Sequence, residues 1–448
     1  MKRDAGRRAA DEFLERGNKA LVDGSLECAE QAYGRALDLY ESAGERGRAA
    51  DVVCNLATIC WKRNDLREAD RLYNKARDQY AAIGSYYAVA LVEQYLGNVA
   101  YSRNDLHRAR WHYYRALPGI EEVDSIRAAD CRVNIAALLT ALGQCGVALR
   151  HLSVAEDSYR RQLSGDDLLV KLAEADENAG FVLKALERYP EARVRLTRSR
   201  ATYERLGMAV KLAPLDHNLA ELARLSGRPV EAAELYRRAM GNYLATQRDH
   251  EIADSLLGLG IMALDEGDLS VARRKFRAAA VLYRQTGQWL ALAQTFHNLG
   301  VSWRDDPKRA LSYVVPAWAV MRSMSWGLPE VAARAEWRTA TEQAARIALE
   351  LAAAAGDSAL LAELIESMRG TTLRPGLELP RGITSLDSAA SEMPSVTPPT
   401  IDCGWPARLS AYLEDAEELR AVGGDSPRRL RNGSAALGRL LTEHGRTG

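Results

Sequence analysis

One residue type recurs at one place in this chain. Asn55, Asn134, Asn178 and Asn218 stand eleven residues before the start of successive copies of a repeated pattern, and Asn298 matches them once a shorter final turn is allowed for. Tyr95 and Gly258 fill the two remaining places of the row. Asparagine is a mediocre helix former, so repeated use in mid-helix needs a reason other than propensity. A primary amide carries a donor and an acceptor together. A row of amides can therefore read an extended peptide backbone whatever its side chains, at about 1 kcal/mol net per bond. The same amides could equally bond a neighbouring helix and stitch the repeats together. Four residues before this row stand Asp51, Leu91, Asp130, Glu174, Pro214, Asp254 and Gln294; three earlier again stand Arg48, Ala88, Arg127, Lys171, Lys211, Glu251 and Ala291. Arg48 with Asp51 and Arg127 with Asp130 have the spacing of helix ion pairs, each contributing about 0.2–0.5 kcal/mol. Lys171, Glu174, Asn178, Lys211 and Asn218 form the most polar adjacent stretch, where a ligand is expected first.

Catalytic chemistry finds no comparable pattern. Gly258-Leu259-Gly260 lies inside a helical pattern, without the strand that a phosphate-cradling loop requires. His107 and His112 are five residues apart and so on different helix faces, and no clustered Cys/His ligands accompany them. The six cysteines are scattered, with no CxxC pair, and read as reduced and structural. No catalytic residue, metal or cofactor is expected.

The elements that carry these residues come from a repeat. One second-helix pattern reads Leu26-Ala29-Tyr33-Ala36-Tyr40, then Leu66-Ala69-Tyr73-Ala76-Tyr80, and recurs from Leu106, Cys145, Tyr189, Pro229, Leu269 and Pro307. Steps of three and four align on one face of a helix. The Ala lets two backbones approach closely, and the aromatic fills the space toward the next repeat. A Gly or Asn (Gly24, Asn64, Asn104, Gly143, Gly227, Gly267) precedes the pattern where a left-handed residue would end the first helix. The first helices carry a small residue after an apolar one, as in Leu56-Ala57, Ile135-Ala136, Leu219-Ala220 and Leu299-Gly300. The insertion around Ser164 to Leu169 reads as a longer surface loop. Trp289, Trp303, Trp318, Trp326 and Trp337 cluster in the last repeat and its exit, as a lid over the final apolar face or a docking site for a partner.

Composition sets the class. The 448 residues are 47% hydrophobic, and 60 basic side chains balance 60 acidic ones. The chain therefore has a core to bury and no global field that would draw it to nucleic acid or an anionic membrane. The charged N-terminus lacks a signal-peptide core, and no stretch is apolar enough to span a bilayer, so a cytoplasmic location is expected.

The repeated Leu-Ala-Tyr-Ala-Tyr pattern resembles the tetratricopeptide repeat, in a form of about 40 residues, over residues 10 to 326. The resemblance implies an all-α, right-handed superhelical solenoid of about eight helix hairpins, with a groove lined by first helices. It also implies that the Asn row faces that groove and bonds a bound peptide. Ala348 to Leu373 and Pro398 to Leu413 resemble the region that leads into the peptidase of bacterial CHAT proteins, a caspase-like group. Cys403 precedes His444, the reverse of that family's order, so no catalytic residue is carried over.

The organisation expected is a solenoid over 1–328, a helical capping segment over 329–369, a Pro/Ser-rich linker over 370–406, and a short helix with a basic tail over 407–448. The function expected is a non-catalytic protein- or peptide-binding scaffold or regulatory sensor, using Asn55, Asn134, Lys171, Glu174, Asn178, Lys211, Asn218 and Asn298. The alternatives are a truncated or split regulatory half of a CHAT-type peptidase, and nucleic-acid binding through the basic tail.

Overall fold

A computed structural model describes residues 2–326 and 331–369, without the side chains of 2–5, 289–290, 323–340 and 366–369. Among the described residues every regular element is a helix and no strand is present. The expected linker, the tail, Cys403, His444 and the segment from Pro398 to Leu413 lie outside the described residues, as do the side chains of Trp289, Trp326 and Trp337.

The chain divides into two units, the first ending at Met208 and the second starting at Ala209. The first unit is five hairpins in tandem. Its first helices are α1 (Lys2–Val22), α3 (Arg46–Lys62), α5 (Tyr86–Ser102), α7 (Ser125–Ala141) and α9 (Gly165–Ala185). Its second helices are α2 (Leu26–Ala43), α4 (Leu66–Ala82), α6 (Leu106–Glu121), α8 (Cys145–Gln162) and α10 (Tyr189–Arg205). The second unit holds three more hairpins: α11 (Ala209–Leu225) with α12 (Pro229–Ala245), α13 (Asp249–Asp265) with α14 (Leu269–Gln285), and α15 (Trp289–Val301) with α16 (Pro307–Trp326). Two further helices follow, α17 (Val331–Ala354) and α18 (Ser358–Arg369).

Each second helix begins at the first residue of the repeated pattern, for physical reasons visible at its N-terminus. Asp65, Asp105 and Asp268 cap α4, α6 and α14, their carboxylates accepting from the backbone N–H of Glu68, Arg108 and Val271 at 3.0–3.1 Å. The turn before each cap is left-handed. Gly24, Asn64, Asn104, Gly143, Gly227 and Gly267 all have positive φ, and Glu187 takes the same conformation at φ 57° without the usual residue type.

The core is the pattern itself. Ala29, Tyr33, Ala36 and Tyr40 are buried, and so are their counterparts in every later second helix. The small residues of the first helices sit against the first large residue of the pattern: a Cβ built on Gly97 would lie 2.5 Å from the Tyr113 ring, and one on Gly180 2.6 Å from Leu196. Close approach is therefore required there, as the sequence spacing implied.

Two sequence expectations are corrected. Ser164 to Leu169 is no surface loop: from Gly165 it forms the first turn of α9, which runs to 21 residues where α3, α5 and α7 have 17. Asp166 and Asp167 in that first turn complement the positive end of the helix, so the insertion lengthens α9 instead of looping out. Arg127 and Asp130 also do not pair along their helix. Asp130 is held instead by Tyr159 and Lys171. Arg48 and Asp51 do pair, at 3.8 Å.

At the C-terminal side, Ala344, Ala348, Leu351, Leu360 and Leu364 from α17 and α18 pack on the fully buried Trp318 of α16. Trp303 lies between the guanidinium groups of Arg273 and Arg309, at 3.5 and 3.7 Å from its ring. These two rings are thus spent on packing and cation–π contact.

Candidate functional site

Two members of the Asn row, Asn55 and Asn134, lie on the seam between consecutive hairpins. In the first unit Asn55 and Asn134 are half-buried, and their Nδ2 atoms donate to Oδ1 of Asn18 and Asn98 on the preceding first helix, at 3.5 and 3.2 Å. Asn18 and Asn98 in turn accept from the hydroxyls of Tyr33 and Tyr113 at 2.8 Å. The row position therefore meets the first aromatic of the preceding hairpin. Tyr95, at the same place, stacks on Tyr73 with ring centroids 5.5 Å apart. Asn178 instead donates to the backbone carbonyl of Glu174 in its own helix, at 2.8 Å. Among the described residues the Oδ1 atoms of these three row residues accept no hydrogen bond.

Lys171 stands beside Asn178 and joins two repeats. Its Nζ is 2.9 Å from Asp130 on α7 and 3.2 Å from Glu174 on its own helix. Burial works against its charge, but the Asp130 and Glu174 carboxylates hold it above the ordinary lysine value. Asp130 also accepts from the Tyr159 hydroxyl at 2.7 Å. Of the polar stretch expected from sequence, Lys171, Glu174 and Asn178 lie on α9, where Lys171 reaches Asp130 of α7, while Lys211 and Asn218 lie on α11 in the second unit.

The acidic row has a role the sequence reading did not assign. Asp11, Asp51, Asp130 and Asp254 each accept from the last tyrosine of their own hairpin, at 2.5–2.7 Å from Tyr40, Tyr80, Tyr159 and Tyr283. A constant separation of 29 residues was the available signal.

In the second unit Asn218 donates to the carbonyl of Pro214 in its own helix at 2.8 Å, and Lys211 and Asn298 are half-buried on α11 and α15. Gly258 leaves its row position to a ring: a Cβ there would lie 2.4 Å from Tyr236.

A second polar system was missed altogether. Glu93, Asp176 and Asp216 are buried on first helices, each facing cations of the next second helix. Asp176 binds Arg195 at 2.7 Å and Arg198 through both oxygens, while Arg195 also reaches Glu156 of α8 at 2.8 Å. Asp216 takes a two-bond contact from Arg238 at 2.6 and 2.7 Å. Glu93 lies 2.6 Å from His112 Nδ1. Burial pushes the Glu93 carboxyl up, but His112, Arg115 and Arg77 outweigh it and leave it below the usual range. Acid and Arg stand 22 residues apart in all three hairpins (Glu93–Arg115, Asp176–Arg198, Asp216–Arg238), a spacing that could have been read from sequence.

Cys54 and Cys131 are buried free thiols pushed up to about 12 by burial, which makes them inert side chains of the core. Among the described residues no group of three or more His, Cys, Asp or Glu side chains is placed to hold a metal ion, and no helix is long and apolar enough to cross a membrane.

The family described as soluble NSF attachment protein, SNAP, matches residues 2–165, about the first four hairpins. No curated protein matches the sequence closely enough to count as a relative. Several solved structures share the fold at low identity. The apo quorum sensor NprR of B. thuringiensis aligns at 15% identity and a TM-score of 0.50, over 75% of this chain and 87% of its own. Aspartyl phosphate phosphatase F from Bacillus subtilis aligns at 10% identity and 0.51, over 82% and 94%. A Pyrococcus horikoshii signal-transduction ATPase with numerous domains, which carries a tetratricopeptide repeat sensor, aligns at 11% identity and 0.53, over 76% of this chain and 52% of its own. The chain is a tandem array of tetratricopeptide-type helix hairpins, similar in fold to these proteins.

Proposed function

We propose that the chain is a non-catalytic scaffold that receives a protein or peptide on the face formed by its first helices. In the first unit the contacts are Asn55, Asn134, Lys171, Glu174 and Asn178; in the second the equivalent positions are Lys211, Asn218 and Asn298. The observation that supports this most is the presence of Asn134, Lys171, Glu174 and Asn178 on adjacent first helices, with amide oxygens that accept no hydrogen bond among the described residues. An extended backbone supplies N–H groups to such acceptors, and the Lys171–Glu174 pair offers both signs of charge beside them. The solved structures of like fold include a quorum sensor and a protein with a tetratricopeptide repeat sensor, which suits a regulatory role.

The test is a peptide-library selection against the intact chain, followed by affinity measurement with Asn134→Ala/Asn178→Ala. Loss of two hydrogen bonds of about 1 kcal/mol each weakens a groove-bound peptide roughly thirtyfold. Equal affinities in a variant whose thermal unfolding is still cooperative would remove the amides from the binding surface.

A further inference from the structure

The second unit carries an open groove between α12 and α14, floored by the C-terminal half of α13, with a volume of about 580 Å³. Its lining is chiefly Ala233, Met240, Leu259, Met262 and Val271. Small-molecule sites typically span about 300–1,000 Å³, mostly apolar with a few placed polar groups. Here the polar groups are Lys275 and Arg237, with the exposed Glu234 and Glu266 beside them.

Lys275 has a counterpart that shows what it lacks. It stands six residues after the start of α14, as Arg195 stands six after the start of α10. Arg195 is neutralised by two buried carboxylates, Asp176 of the preceding first helix and Glu156 of the preceding second helix. In the register of α13 and α12 those two places hold Leu256 and Met240. Met240 lines the groove, so one wall is apolar where the sister site has an acid. Lys275 makes no hydrogen bond or ion pair among the described residues, and the charges that act on it are those of Arg274 and Arg237. Burial and these like charges hold its ammonium below the ordinary lysine value. A half-buried cation beside apolar surface is costly unless an anion joins it.

We propose that this groove binds an aliphatic monocarboxylate, with its chain on Met240, Leu259 and Met262 and its head group on Lys275. The ligand supplies the carboxylate that Glu156 and Asp176 supply to Arg195. Glu234 and Glu266 disfavour a second negative charge on the chain. The site is walled by the second helices α12 and α14 over a floor from α13, uses none of the row residues, and does not rest on the reading of the Asn row.

Calorimetric titration of the full chain with octanoate and with 1-octanol tests this. The wild type binds octanoate at least about tenfold more tightly than the alcohol, the difference that one charge-assisted hydrogen bond makes. Lys275→Met loses that preference while keeping its affinity for octanol, and Ala233→Trp, which fills the groove, binds neither. Lys275→Gln, uncharged but polar, behaves as Lys275→Met and serves if the methionine variant loses its helical signal. The proposal is overturned if octanoate shows no saturable binding, if acid and alcohol bind the wild type equally, if the Lys275 variants keep the preference, or if a folded Ala233→Trp still binds the acid.

Discussion

Tyr80 and Asp51 lie 2.6 Å apart across α3 and α4, and the third hairpin dispenses with both partners at once: Ile120 replaces the tyrosine and Leu91 the acid. Joint replacement removes the bond without stranding either partner, whereas the sixth hairpin keeps Tyr243 with Pro214 at the acid's place. Removing one partner strands the other at a cost of about 1–3 kcal/mol, whereas replacing both by apolar groups is nearly neutral. The same logic holds one position over. Where the pattern has a hydroxyl at Tyr33, Tyr73 or Tyr113, the first helix supplies Asn18, Thr58 or Asn98 as its partner; where it has Leu152 or Leu196, the first helix has Ala137 or Phe181. Asp51→Leu alone should therefore lower stability by about 1–3 kcal/mol, and adding Tyr80→Phe, which keeps the ring, should recover most of the loss. Urea denaturation of the wild type, both single variants and the double variant gives the coupling energy. Strictly additive losses would mean that hydroxyl and carboxylate do not act as a pair.

A hairpin is held by the fit of a small residue on the first helix to a large one on the second. Gly97 faces Tyr113 so closely that a methyl group at Gly97 would meet the ring at 2.5 Å. Gly97→Ala, although it raises helix propensity, should destabilise the chain by about 1–3 kcal/mol, because the buried ring has nowhere to move. A thermal unfolding midpoint equal to or above the wild type would show that α5 and α6 can separate at no cost. This fit was legible in the sequence, since Leu56-Ala57 and the Ala-Tyr-Ala spacing repeat and periodicity reports packing directly. Helix ends were legible where they used Gly or Asn, and not at Glu187, whose left-handed conformation its residue type disguises. The candidate site was legible only in part. The Asn register could be read, but not that Asn55 and Asn134 bond the preceding helix while Asn178 and Asn218 bond their own, since side-chain direction is settled by neighbours 36 or more residues away. The buried acids Glu93, Asp176 and Asp216 escaped notice because a charge within an apolar stripe looks like noise until its partner 22 residues later is found.

Across the whole chain the recurring tyrosines make a collective prediction. The hydroxyl-bearing rings at the two pattern positions are buried in hairpin after hairpin, and burial raises each of them. Tyr40, Tyr236 and Tyr243 are pushed up to about 12, and Tyr73, Tyr80, Tyr113, Tyr159, Tyr203 and Tyr283 beyond that. An unfolded chain releases these protons near the ordinary value of about 10, while the folded chain keeps them. Above that pH the unfolded state binds fewer protons, so stability falls as pH rises and is fully retained below it. With several such groups per unit the slope is steep, about 1.4 kcal/mol per pH unit for each tyrosine still protonated only in the fold. Raising the pH should therefore unfold the array soon after pH 10, with tyrosinate absorbance and loss of helical circular dichroism appearing together. If most of the tyrosinate signal developed near pH 10 while the helices stayed intact, the hydroxyls would be open to water, and the hairpins would not be closed by the tyrosine contacts described above.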